Sequence, residues 1–341
     1  MPETMTSRAR VLAALNMEPC DRVPRQQWCL PYVGLYRREE RDRLEAEFPS
    51  DFAGPPVKYG TSRYVKGGAG PKGEYTDIFG NLWRAAEDGV VGEVKAPRLA
   101  EWNDLEGYEM PWEILNSADY SAVDAFCKTS EKFVLAGTHT NPFERMQQIR
   151  GTENLFVDLA LDTPELYTLR ELFHAFSLRE MENWAKTAVD GVQFMDDWGT
   201  QISLLISPEK WRQFYKPLYK DYCDILHAAG KKVFFHSDGH IAAIYPDLIE
   251  IGVDAVNSQL FCMDIEALGR QYAGRIAFWG ELDRQRVMPF GSEAEVRAAV
   301  DRVAAALMPH GIRTGVIAQF EWGRLEPFEN LRAAFGQWNR H

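Results

Sequence analysis

The stretch Lys231–Ile241 reads KKVFFHSDGHI. Val233, Phe234 and Phe235 form a short apolar run of the kind buried on both faces of a parallel sheet. The run ends abruptly at His236-Ser237-Asp238-Gly239. Asp-Gly is a common turn dipeptide. Strand alternation puts His236 on the same face as Phe234, on a segment too apolar for a surface loop. Either the ending is only a turn, or the strand delivers a histidine and a carboxylate to a site.

The segments on either side repeat the pattern. Apolar runs at Phe133–Thr138, Gly191–Asp197, Val253–Gln259, Arg275–Asp283 and Arg313–Glu321 alternate with longer amphipathic segments. The helices carry start signals: Ser207 before Pro208, Thr163 before Pro164, and Ser292 with Glu295 as a capping box. Gly230 marks a helix end. An earlier helix is expected over 6–15, and Val23–Leu30 supplies an earlier strand. Strand and helix in this order imply parallel strands joined by crossovers. The expected fold is an α/β (β/α)₈ TIM barrel forming a single domain over 1–341. Residues 131–341 form the barrel core. Residues 1–130 hold the first barrel elements within an irregular elaboration of hairpins and loops, signalled by AGPPVKYG and VKGGAGPKGEY. A doubly wound sheet is the alternative.

Both folds place a ligand site at the carboxyl ends of the strands. Those ends are almost all polar: His139; Asp196 and Asp197; His236 and Asp238; Asn257 and Gln259; Glu281 and Asp283; Gln319 and Glu321. Several carboxylates beside histidine repel one another unless a cation joins them, either a metal ion or a charged substrate group. Otherwise some carboxyls stay protonated and serve as acids. Glu321, between Phe320 and Trp322, is a poor place for an unpaired carboxylate, and an arginine such as Arg324 is the bland partner. One of Asp196 and Asp197 is expected to cap a loop, and His139 to cap the helix at Asn141–Gln147. His174, His227, His240 and His310 read as structural, and His341 as exposed.

Composition limits the partners. The 341 residues have a formal net charge of −12, with no basic cluster. That disfavours nucleic acid and anionic membranes as partners. There is no apolar span or signal segment, so a cytoplasmic protein is expected. The five cysteines are widely spaced with no C-x-x-C, so neither a disulfide framework nor a zinc ribbon is indicated.

The segments SRARVLAALNMEPCDRVP (7–24), 196–259, FWGELDRQRVMPFGSEAEV (278–296) and EPFENLRAAF (326–335) resemble the uroporphyrinogen decarboxylase superfamily. They are similar to the branch containing corrinoid-dependent methyltransferases. True decarboxylases of uroporphyrinogen carry an Arg-rich MRQAGR motif. The comparable stretch here, RQQWCLPYVGLY (25–36), lacks it. Thiol-methylating relatives bind zinc through His-x-Cys and a later Cys. Here His236 matches the histidine, Asp238 replaces the first cysteine, and the later position falls near Glu321. The resemblance therefore implies a methyltransferase or O-demethylase. It would move methyl from a methoxylated, aromatic compound to a corrinoid (cobalamin) carried by a partner protein. Zn²⁺ would be held by His236, Asp238 and Glu321. Asp197 joins these as a catalytic candidate. Trp28, Tyr32, Asp196, Trp198, Gln259 and Glu281 are the substrate-binding candidates. A homodimer is implied by the same resemblance. The alternatives are a metal-independent decarboxylase with Arg145, Arg150 or Lys216 anchoring a carboxylate, and a non-catalytic ligand-binding relative.

Overall fold

The computed structural model describes residues 3–308 and 311–341. His310 lies outside the described residues. Eight parallel strands form a nearly closed barrel: β1 (Arg25–Cys29), β2 (Phe52–Ala53), β6 (Phe133–Gly137), β7 (Gly191–Met195), β8 (Lys232–Ser237), β9 (Ala255–Ser258), β10 (Ala277–Trp279) and β11 (Val316–Trp322). The ladder order is β1-β11-β10-β9-β8-β7-β6-β2. A separate antiparallel sheet, β3 (Gly73–Thr76), β4 (Leu82–Ala85) and β5 (Glu93–Ala96), accounts for the expected hairpins. Ser207 and Ser292 cap their helices through side-chain oxygens, and the Ser292–Glu295 capping box forms in both directions. Thr163 makes no side-chain cap. No helix among the described residues is long and apolar enough to cross a membrane.

Strand alternation splits the apolar residues into two layers. Phe52, Phe133, Leu135, Phe234, Ala255, Ala277, Trp279 and Ile317 fill the barrel interior. Val192, Phe194, Phe235, Val256 and Phe320 face outward into the layer beneath the helices. Val11 and Leu15, on the helix Ser7–Leu15, join the interior cluster at its lower end.

The ladder is interrupted between β1 and β2. Asp51 closes that seam at the base, where its N–H donates to the Arg25 carbonyl at 2.9 Å and its carboxylate accepts the Arg25 N–H at 2.8 Å. Beyond Ala53 the chain turns away at Gly54-Pro55-Pro56. A lateral cleft of about 540 Å³ opens there, lined by Gln26, Cys29, Phe52, Gly54, Leu135 and Gln193 among others. The Asp51 carboxylate also accepts Arg10 Nη1 at 2.7 Å and Arg22 Nη1 at 2.6 Å, wholly out of solvent. Burial alone would raise its pKa, but the Arg22 hydrogen bond and charge hold it below the ordinary carboxylate value.

Candidate active site

Register fixes the height of each polar strand end. Met195 pairs with His236, His236 with Asn257, and Trp28 with Glu321. Continuing the inward face of each strand leads to Asp197, Asp238, Gln259, Glu281 and Glu321. These side chains surround the carboxyl end of the barrel.

His236 is the centre. Its Nδ1 lies 2.6 Å from Asn257 Oδ1. The Asn257 amide nitrogen is committed to the Trp279 carbonyl and, at 2.8 Å, to Gln319 Oε1. Asn257 must therefore accept from His236, which places a proton on Nδ1 and turns Nε2 toward the mouth. Nε2 faces Asp197 Oδ1 at 3.5 Å and Asp238 Oδ1 at 3.6 Å. Burial by itself would lower the His236 pKa. The Asp197 hydrogen bond and charge, then Asp238 and Asn257, raise it to about 9. The Trp28 ring lies 5.1 Å from the imidazole and 5.6 Å from Trp279, forming an aromatic wall.

Two loops hold the carboxylates together. The Asp238 N–H donates to Asp197 Oδ1 at 2.9 Å, the Gly199 N–H to the Asp238 carbonyl at 3.0 Å, and the His240 N–H to the Thr200 carbonyl at 2.7 Å. Gly199 and Gly239 touch backbone to backbone. A Cβ on Gly199 would sit 2.3 Å from His240 N, and one on Gly239 2.1 Å from Gly199 O. Gly239 has φ +80°, so the Asp-Gly turn is real and the aspartate is also part of the site.

Arg284, just beyond β10, supplies the positive charge that the carboxylates require. Its Nη2 bonds Asp238 Oδ2, its Nη1 lies 2.6 Å from Glu321 Oε1, and its Nε is 3.7 Å from Glu281 Oε2. Glu321 is therefore held by Arg284 and not by Arg324, which reaches toward Glu87. Glu281 is 3% exposed, and burial pushes its carboxyl up to about 8 against the pull of Arg284. The carboxyl is mostly protonated at neutral pH.

Donor atoms of Asp197, His236 and Asp238 all lie within 4.8 Å of one another. Asp238 Oδ1 is buried with no hydrogen-bond partner, and Nε2, once an incoming ion displaces its proton, is the ring nitrogen turned toward both carboxylates. This set fits a divalent ion with an open coordination position. It differs from the expected His236, Asp238 and Glu321, because Arg284 engages Glu321 and Asp197 takes its place.

Other expected residues lie apart from this centre. Asp196, just past the end of β7, is fully buried. It accepts the N–H groups of Phe143 and Glu144 at 2.9 Å each and the Tyr219 hydroxyl at 2.5 Å. Asp196, and not His139, thus caps the helix Pro142–Arg150. Trp198 is also fully buried, stacked on Phe143 at 4.0 Å, so it cannot wall the pocket. Tyr32 sits on the helix Pro31–Tyr36 against Tyr36. Gln259 lines a cleft next to Glu281 and Arg284. His139 Nδ1 bonds the buried Glu180 at 2.8 Å, while His174 and His227 pair with Asp221 and Asp254. Arg150 pairs with Asp158, Lys216 with Asp247 and Glu250, and Arg145 lies over Phe79. Arg150 and Lys216 are thus already taken up by carboxylates of the chain.

No curated protein matches the chain in sequence. Among solved structures, a methyltransferase from Methanosarcina mazei superposes with a TM-score of 0.72 at 15% identity, covering 99% of each chain. A glycosylated endo-β-1,4-xylanase of glycoside hydrolase family 10 from Gloeophyllum trabeum gives 0.46 at 9% identity, also over 99% of each chain. The first likeness establishes the shared barrel architecture, and the second carries no weight. The family description "Uroporphyrinogen decarboxylase (URO-D)" matches residues 85–320, which include every barrel strand from β6 to β10 and most of β11. The chain belongs to the uroporphyrinogen decarboxylase (URO-D) family.

Proposed function

We propose that the protein is a methyltransferase. It takes methyl from the oxygen of a methoxylated aromatic compound and passes it to a corrinoid (cobalamin) on a partner protein. The observation that carries this reading is His236 Nε2, set between two carboxylates beneath Trp28, with the buried Glu281 held nearby by Arg284. Such a site can take hold of an ether oxygen, a poor leaving group until it is protonated or coordinated. The methyltransferase name of the Methanosarcina mazei structure agrees with this reading, although that likeness bears on the fold alone.

Asp197, His236 and Asp238 would hold a divalent ion such as Zn²⁺, which when bound would polarise the ether oxygen. The chain's own residues do the rest. Trp28 receives the aromatic ring. Asn257 keeps the His236 ring oriented. As the methyl–oxygen bond breaks, oxygen keeps the bonding pair and takes the proton of Glu281. Arg284 then steadies the carboxylate that remains. The reading is tested by incubating the protein with aryl methyl ethers and cob(I)alamin and following the loss of cob(I)alamin absorbance. Absence of transfer across a broad panel, with carbon dioxide released from carboxylated compounds, would favour the decarboxylase reading.

The acid step has a pH signature. Burial raises the Glu281 pKa to about 8, so the proton is present below that value and lost above it. The turnover rate should fall about tenfold per pH unit above about 8. Glu281→Gln should lose this limb and lower the neutral-pH rate by roughly 10²-fold. An unchanged alkaline limb in the variant would exclude Glu281 as the donor.

A further inference from the structure

A cleft of about 230 Å³ opens beside the site and includes Gln201, Gln259, Glu281, Asp283, Arg284 and Arg286 in its lining. Its donors exceed what the protein itself uses. The Arg284 guanidinium has five N–H groups. One bonds Asp238 and one bonds Glu321, and the Nε contact to Glu281 at 3.7 Å is too long for a hydrogen bond. Three N–H groups are left over. Arg286 pairs with no carboxylate among the described residues. Gln259 receives the Gln201 amide on Oε1 at 3.3 Å, which leaves its own NH₂ to donate.

Not every acid in the cleft takes up these donors. Asp283 turns its Oδ1 to the backbone N–H groups of Gln285 and Arg286. Glu281 is mostly uncharged at neutral pH. Arg284 and His236 both touch one carboxylate, Asp238. The Arg284 guanidinium and the His236 imidazole therefore flank the same carboxylate, one at each oxygen.

From this geometry we infer that the cleft receives an anionic substituent of the methyl donor, so that the substrate class is a methoxylated aromatic carboxylate. This rests on the methyltransferase reading for the identity of the donor, but the anion site itself does not. Arg284 supplies a planar fork suited to a carboxylate. Arg286, exposed at the entrance, and the Gln259 amide complete the set.

The test is binding, without corrinoid. Wild-type protein is titrated at pH 7 with 4-methoxybenzoate and with the uncharged 4-methoxybenzyl alcohol, by calorimetry or tryptophan fluorescence. The carboxylate should bind about tenfold or more tightly than the alcohol. Arg286→Gln should remove part of that advantage, and Arg284→Gln nearly all of it. Equal binding of the two compounds in wild type, or no saturable binding of either, overturns the inference. So does an advantage unchanged in the variants. If Arg284→Gln does not fold, Arg286→Gln alone decides.

The two readings fail separately. Preferred binding of the benzoate without methyl transfer to cob(I)alamin would leave the anion site standing and sink the methyltransferase. Equal demethylation of benzoate and alcohol would do the reverse.

Discussion

His236→Ala should abolish most of the methyl transfer, lowering kcat/KM by about 10³-fold while the far-ultraviolet circular dichroism stays that of the wild type. The side chain reaches the centre from a strand whose backbone bonds do not depend on it. Its loss removes the cation between Asp197 and Asp238, or the nitrogen ligand of an ion held there. It also strands Asn257 Oδ1 inside the barrel. Initial rates of cob(I)alamin loss measure the effect. A variant within about tenfold of wild type would show that the chemistry lies elsewhere, whatever the substrate.

The largest stability effect is expected at Asp51, at the opposite end of the barrel. Asp51→Ala leaves Arg10 and Arg22 buried without the carboxylate they share, and removes the acceptor for the Arg25 N–H. Breaking a buried ion pair on one side typically costs about 3–5 kcal/mol. Because Arg10 keeps Asp21 and Arg22 keeps Glu3, the lower end of that range is expected. Chemical denaturation followed by circular dichroism measures it. A loss below about 1 kcal/mol would mean that the two arginines find other partners or water. The sign with pH follows from the depressed pKa. The contribution of Asp51 is present above the unfolded carboxylate value and disappears as pH falls through the lower folded value. Acid should therefore loosen the β1–β2 seam.

The barrel was legible because its strands are apolar runs with polar ends, and its helices carry Ser-Pro and Ser-x-x-Glu start signals. The period of two also held more information than the list of strand ends used. On β7, Gln193 and Met195 face inward, so Asp197 follows them, while Asp196 and Trp198 follow Val192 and Phe194 outward. Continuing that alternation past Met195 separates a residue at the mouth from two buried in the helical layer. The same step carries Phe234 through His236 to Asp238, and Trp279 to Glu281. Arg284 had no such signal. It lies in a loop after β10, where no period says which side chain folds back, and only the assembled barrel shows three acids converging on it. From the sequence, a metal ion or a charged substrate group is expected among the carboxylates, whereas the structure puts the chain's own Arg284 there. Tyr32 follows no strand period either: the strand stops at Cys29, and the ring sits on a helix against Tyr36.

The contact of Gly199 with Gly239 ties the two carboxylate-bearing loops into one jaw. Asp197 and Asp238 cannot be adjusted independently, because the backbone of each loop is the other's wall. The spacing between the two acids is thus set when the chain folds, before any proton, ion or substrate arrives. A guest is selected by whether it suits that gap, and whatever shifts one loop carries the other with it.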